Sequence, residues 1–283
     1  MKNSAFTDSP SQPEKESDDK SSHSKRKKGG DKSPHSKALR LWLAAPDWLF
    51  RAAGAAVWGA ILVVRAMDYR GGFWTVGPVY YNPATEFAFR VPWTRLLTDL
   101  TLVIIVLGFL LRKPPRQRAR RISSIVLGLV GGYWPLLPFA LDAVLQLAGT
   151  SLSDVFGLPM PGGSGFSIEL LPFVIGVLLV MAGNALDVWG YATLLRSFSI
   201  VPEARELKVS GPYRLVRHPV YLGQMLAQAG VWLCFTPLHA VWIAFYLIFV
   251  ALQIWRAKRE DAVLEEAFGD DYRRWKKETF WFS

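Results

Sequence analysis

The chain has 283 residues, 51% of them hydrophobic, a formal net charge of +10 and a single cysteine, Cys234. One cysteine excludes an intrachain disulfide, and no Cys/His spacing matches a zinc site, so no metal is expected. The positive charge lies in short blocks beside apolar runs, which is how membrane topology is encoded and which argues against a nucleic-acid partner.

Residues 1–40 are Ser, Lys, Asp and Glu with almost nothing to bury, so a disordered basic N-terminal tail is expected. Its block Lys25, Arg26, Lys27, Lys28 either helps fix topology or touches anionic lipid. Apolar runs long enough to cross a ~30 Å hydrocarbon core then recur. The spans are read at about 46–67, 95–111, 122–148, 168–195, 219–235 and 238–255. The third is long enough to tilt or kink at Pro135 and Pro138. Between the first two lies an aromatic, proline-containing loop, 68–94. The last two are joined by a tight turn near Thr236 and Pro237 and form a helical hairpin, followed by a charged amphipathic tail, 256–283.

These spans predict an all-α, polytopic membrane protein of about six transmembrane helices. Three parts are expected: the tail 1–40, N-terminal transmembrane helices and loops over 41–167, and a membrane core with a C-terminal tail over 168–283. The connectors 112–121 and 196–218 and both tails are rich in Lys and Arg, whereas 149–167 and 236–237 have none. The two sets alternate, as six crossings with both termini cytoplasmic require.

The stretch 211–223 places Arg214, Arg217 and His218 directly before an apolar helix, with Pro219 in its first turn. At the other end of the hairpin stand Arg256, Glu260 and Asp261. An antiparallel hairpin brings its two ends together. His218 and Tyr221 are three apart and Arg256 and Glu260 four apart, so each pair shares a helix face. The expected result is a pocket floored by apolar helix and rimmed by cations, an imidazole, a phenol and carboxylates. Read singly, each residue has an ordinary role as a topology charge, an interfacial hydrogen bond or a helix pair.

The run Arg217-His218-Pro219-x-Tyr221-x-Gly223, preceded by Gly211-Pro212-Tyr213-Arg214, resembles the signature of integral-membrane methyltransferases typified by isoprenylcysteine carboxyl methyltransferase. It is also similar to the phospholipid methyltransferases. Arg256-x-x-x-Glu260-Asp261, then Phe268-Gly269-x-x-Tyr272, resembles that family's second motif, which usually carries two adjacent glutamates. The likeness covers residues 183–275.

The resemblance implies S-adenosylmethionine as methyl donor, bound in a cytoplasmic pocket at the end of the hairpin. It implies Arg217, His218, Tyr221, Gly223 and Glu260 around that cofactor, with Glu260 meeting ribose hydroxyls or the amino group. Arg256 becomes the candidate to meet a substrate carboxylate, and Glu260 or His218 the group to take a proton from an amine acceptor. The acceptor is lipophilic or lipidated, a carboxylate, an amine or a thiol, reaching the site through a lipid-facing gap between the fourth span and the hairpin. Asn184 and Asp187 would lie near that gap or make interhelical hydrogen bonds. Two other readings stand beside this one. Membrane sterol and steroid reductases look similar around Arg-His-Pro-x-Tyr but commonly carry Asn where this chain has Val220. A non-enzymatic membrane scaffold has no need of charged groups at that depth.

Overall fold

The computed structural model describes residues 34–158, 169–235 and 239–281. Most of the tail expected at 1–40, and the turn at Thr236 and Pro237, lie outside the described residues. The last residues of that tail open a short helix, α1 (Pro34–Ala44).

Long apolar runs satisfy their backbone polar groups by helix formation, the economical solution inside hydrocarbon. The first three helical spans are α2 (Asp47–Met67), α3 (Pro92–Leu111) and the pair α4 (Ile122–Tyr133) and α5 (Leu137–Leu147). The break between α4 and α5 is a tight turn, Trp134–Leu136, at the two prolines that the sequence marks as kink sites. A short helix, α6 (Leu152–Phe156), follows. Then come α7 (Leu170–Leu194), α8 (Pro219–Phe235) and α9 (Ala240–Glu278). Among the described residues, five helical segments are long and apolar enough to cross a membrane. Six spans are expected from the sequence; α8, with 17 residues, is apolar but is not among these five.

Helix α9 departs from the expected pair of a short span and a separate tail. It continues for 39 residues, its apolar part ending at Trp255 and its charged part standing beyond the membrane-spanning stretch. Only at Gly269, with φ 54° and ψ −122°, does the chain bend. The loop expected at 68–94 contains a two-stranded antiparallel hairpin, β1 (Val79–Asn82) and β2 (Phe87–Arg90). Its Tyr80 and Phe89 pack on Phe173 of α7, with centroids 5.6 and 5.5 Å away. Alternation of aromatic residues over so few positions gives too weak a signal to read as strands.

Helices α7 and α8 form the tightest seam in the bundle. Added Cβ atoms at Gly176, Gly183 and Gly190, each seven apart on one face of α7, would lie 2.6 Å from Cys234 Sγ, 2.4 Å from Ala227 N and 2.7 Å from Val220 Cγ2. Small residues let two membrane helices approach until their backbones touch. This closes the lipid-facing gap expected between the fourth span and the hairpin: at α8, the glycines leave no space.

At the basic end of the bundle the two Arg-rich connectors pair. Strand β3 (Gln117–Arg118) runs antiparallel to β4 (Glu203–Ala204), and Lys113 N donates to Arg196 O at 2.7 Å. Two carboxylates organise the arginines there. Asp47 accepts from Arg51 and Arg112 at 2.9 Å each and from Arg205 at 3.3 Å, while Glu203 pairs with Arg118 at 3.3 Å and with Arg205. The start of α2, the 112–121 connector, the 196–218 connector and the charged part of α9 therefore share one end of the molecule.

Candidate active site

The ends of the hairpin meet. Arg217 donates from Nη1 to Asp261 Oδ2 at 3.0 Å, and His218 Nε2 lies 2.7 Å from Asp261 Oδ1. The Tyr272 hydroxyl donates to the same Oδ1. A carboxylate only accepts, so the His218 proton in this contact sits on Nε2. Asp261 is thus the hub that ties the first motif to the second. Burial alone would raise its carboxyl, but the His218 hydrogen bond and charge, the Tyr272 hydroxyl and the Arg217 charge together hold it below the usual range.

The sequence spacing gives no weight to Asp261 over its neighbour, and it is the neighbour that faces open space. Glu260 keeps 30% of its side-chain surface exposed, against 7% for Asp261. Its Oε2 accepts from the Tyr221 hydroxyl at 2.7 Å and lies 3.7 Å from His218 Nδ1. The His218 ring stacks on Tyr221, centroids 5.4 Å apart at 14°, and meets the edge of Trp281 at 5.0 Å.

Trp281 reaches the site because the chain doubles back after Gly269. Tyr272 is fully buried, Trp275 Nε1 donates to Tyr213 O at 3.0 Å, and Arg217 N donates to Phe280 O at 3.0 Å. The last described residues are strapped along the first motif. The Gly211–Arg214 turn beneath them buries Tyr213, whose hydroxyl is pushed up by desolvation and by the Glu260 charge.

These groups border a cavity of about 980 Å³, counting its mouth. Arg217, His218, Tyr221, Arg256 and Glu260 all line it, as do Tyr191, Ser197, Tyr213, Gln224 and Trp275. Gly223 does not. It lies on the α7 side of α8, where an added Cβ would come 2.5 Å from Asp187 Oδ1 and 2.7 Å from Gly183 O. Its lack of a side chain serves helix packing there.

Arg256 is 4% exposed and stands apart from the other buried arginines. It donates to Gln253 Oε1 at 2.7 Å and to Ile200 O at 3.1 Å, and its Cζ lies 4.8 Å over the Tyr221 ring. Among the described residues no carboxylate pairs with it, and its Nε has no hydrogen-bond partner. Behind it a buried polar chain runs from Gln253 to Gln224 and on to the Tyr191 hydroxyl. Asn184 donates to Thr98 at 2.9 Å, an interhelical bond, and Asp187 Oδ1 has no hydrogen-bond partner. Neither lines the cavity. Among the described residues no cluster of His, Cys, Asp and Glu suits a metal ion.

The arrangement offers a cavity with a partly exposed carboxylate, aromatic faces and a buried cation at its wall. That set suits a ligand with cationic, anionic and polar parts. No curated protein matches the chain. Residues 171–271, which hold the first motif whole and the second as far as Asp271, match the family model of the phospholipid methyltransferases, so the core of this chain is that of a membrane methyltransferase.

Proposed function

We propose that the chain transfers the methyl group of S-adenosylmethionine to a lipophilic acceptor drawn from the membrane. One observation carries the reading: two motifs 39 residues apart at Tyr221 and Glu260 close around a single cavity, joined through Asp261 and the Tyr221–Glu260 bond.

The residues present fit this cofactor. The buried Ser197 Oγ in the cavity wall has no hydrogen-bond partner, and Glu260 has a carboxylate oxygen beyond the one that Tyr221 occupies. Glu260 and Ser197 would hold hydroxyl or amino groups, and the ring of Tyr191 suits a positive centre. When bound, the cofactor supplies an activated methyl group on a sulfonium. The protein's own part is then positioning and water exclusion. Arg217, His218 and Tyr272 fix the rim by locking Asp261. Arg256 would orient an acceptor through its anionic group. Glu260, 3.7 Å from His218 Nδ1, is placed to take the proton of an amine acceptor.

Titration calorimetry of the purified protein with S-adenosylmethionine and with a reduced nicotinamide dinucleotide tests the reading. Binding of the first and not the second is expected. Binding of the nicotinamide alone would assign the site to a reductase, and binding of neither would leave a scaffold.

A further inference from the structure

The line of polar side chains behind the cavity runs in a single direction. Arg256 Nη1 donates to Gln253 Oε1 at 2.7 Å, Gln253 Nε2 donates to Gln224 Oε1, and Gln224 Nε2 donates to the Tyr191 hydroxyl oxygen at 2.7 Å. The arginine sets this order, because a guanidinium donates and never accepts. Its bond turns the Gln253 oxygen towards α9 and leaves Gln253 only its amide to offer Gln224. The same choice is then forced on Gln224. The Tyr191 oxygen accepts at the far end, so its hydrogen points onward, out of the chain.

Among the described residues that hydrogen has no acceptor. Asp187 stands one turn back on α7, but its Oδ1 lies against Gly223 and has no hydrogen-bond partner. Tyr191 is 6% exposed and lines the cavity, as do Gln224 and Arg256, whereas Gln253 is fully buried and does not. A buried donor left unpaired is costly. Hydrogen bonds chained behind a cation also polarise one another. The chain therefore carries part of the Arg256 charge to a hydroxyl in the cavity wall and leaves that hydroxyl with one bond to give.

We infer that Tyr191 is a further catalytic residue, its hydroxyl donating to an oxygen of the methyl acceptor beside the attacking atom, and that Gln253 is a positioning residue that acts through it by fixing the direction of the chain. The inference rests on the methyl-transfer reading. Tyr191 keeps its proton throughout. Its bond falls on a lone pair other than the attacking one, because a hydrogen bond withdraws electrons from the pair it binds. An ammonium group would meet this hydroxyl donor to donor, so the chain also turns away a protonated amine at this point.

The test reverses the chain. Gln253→Glu keeps the shape of the side chain, and the Arg256 guanidinium beside it keeps the new carboxylate ionised. A carboxylate only accepts. Gln224 must then turn its amide towards α9 and its oxygen towards Tyr191, whose hydrogen is spent inside the wall. Membranes of cells expressing the full chain are incubated with saturating methyl-labelled S-adenosylmethionine, and label in the extracted membrane fraction is counted. Tyr191→Phe and Gln253→Glu should each lower the rate roughly tenfold or more. Affinity for S-adenosylmethionine by calorimetry should stay at the parent's value in both, since Tyr191→Phe keeps the ring. The melting temperature of Gln253→Glu should not fall, since an ion pair is added. The double variant should be no slower than the slower single one, because both changes remove the same bond. A parental rate in either variant, a multiplied loss in the double one, or an affinity that falls in step with the rate overturns the inference while the parent still transfers label. No label from the parent overturns the methyl-transfer reading and this inference with it. Should Gln253→Glu lose its thermal transition, Gln224→Glu takes the Tyr191 hydrogen directly and is read in the same way.

Discussion

Two adjacent acidic side chains in one helix turn do different work because one is buried and one is not. Asp261 receives Arg217, His218 and Tyr272, so Asp261→Asn leaves a buried guanidinium facing a neutral amide. Breaking a buried pair at one partner costs about 3–5 kcal/mol. A thermal melt in detergent should therefore show a clear loss of stability for Asp261→Asn, and an unchanged melt would deny the hub role. The same carboxyl sets a pH dependence. Its folded-state pKa is depressed, so its contribution is fully present above the unfolded value near 3.9 and is lost as pH falls through the lower folded value. The melting temperature of the parent should fall more steeply below about pH 4 than that of Asp261→Asn. Glu260→Gln is the contrasting case. The residue is partly exposed, so its melt should stay near the parent's, while affinity for S-adenosylmethionine should drop roughly ten- to a hundredfold, the worth of a charge-assisted hydrogen bond of about 1.5–3 kcal/mol. Normal binding by both Glu260→Gln and His218→Ala would remove these residues from the site.

At the scale of elements, the seam between α7 and α8 fixes where the first motif can stand. Gly183→Val should be among the most damaging single changes, because its Cβ alone meets Ala227 N at 2.4 Å and Gly223 O at 2.5 Å, and backbone cannot step aside. Overpacking of this kind costs about 1–3 kcal/mol or more, and a melt matching the parent's would show that the helices are not in such contact. The helices themselves were legible in the sequence, since apolar runs between charged connectors carry a long, repeated signal. So was the meeting of Arg217 and His218 with the start of the second motif, because two antiparallel helices of similar length have few other ways to end. The role of Gly223 was not legible. A glycine in a motif announces close approach but not by what, and here the partner is α7. The choice between Glu260 and Asp261 was hidden for a related reason: adjacent helix positions differ by about 100° in direction, and only the packed helix decides which one turns inward. The hub Tyr272 depends on the bend at Gly269, whose positive φ is a property of one backbone position.

For the molecule as a whole, Lys and Arg are denser at the end of the bundle that carries the cavity than at the other, which holds Arg65, Arg70, Arg90 and Arg95. Arg112, Arg116, Arg118, Arg120, Arg205 and Lys208 gather with the start of α2 and the charged part of α9, whereas the described residues 149–158 at the other end carry no Lys or Arg. An excess of Lys and Arg in short connectors marks the cytoplasmic side. The cavity mouth would then open to the compartment that holds S-adenosylmethionine, and the aromatic hairpin at 79–90 would face the opposite one. The native thiol is buried, so single-reporter proteins are simple to make. In intact cells a membrane-impermeant maleimide should label Ser153→Cys and leave Glu278→Cys untouched until the membrane is opened. Both positions are exposed, so access and not burial governs the result. The reverse pattern would put the cavity on the outer face, away from the donor, and the methyl-transfer reading would fall with it even if the site geometry stood.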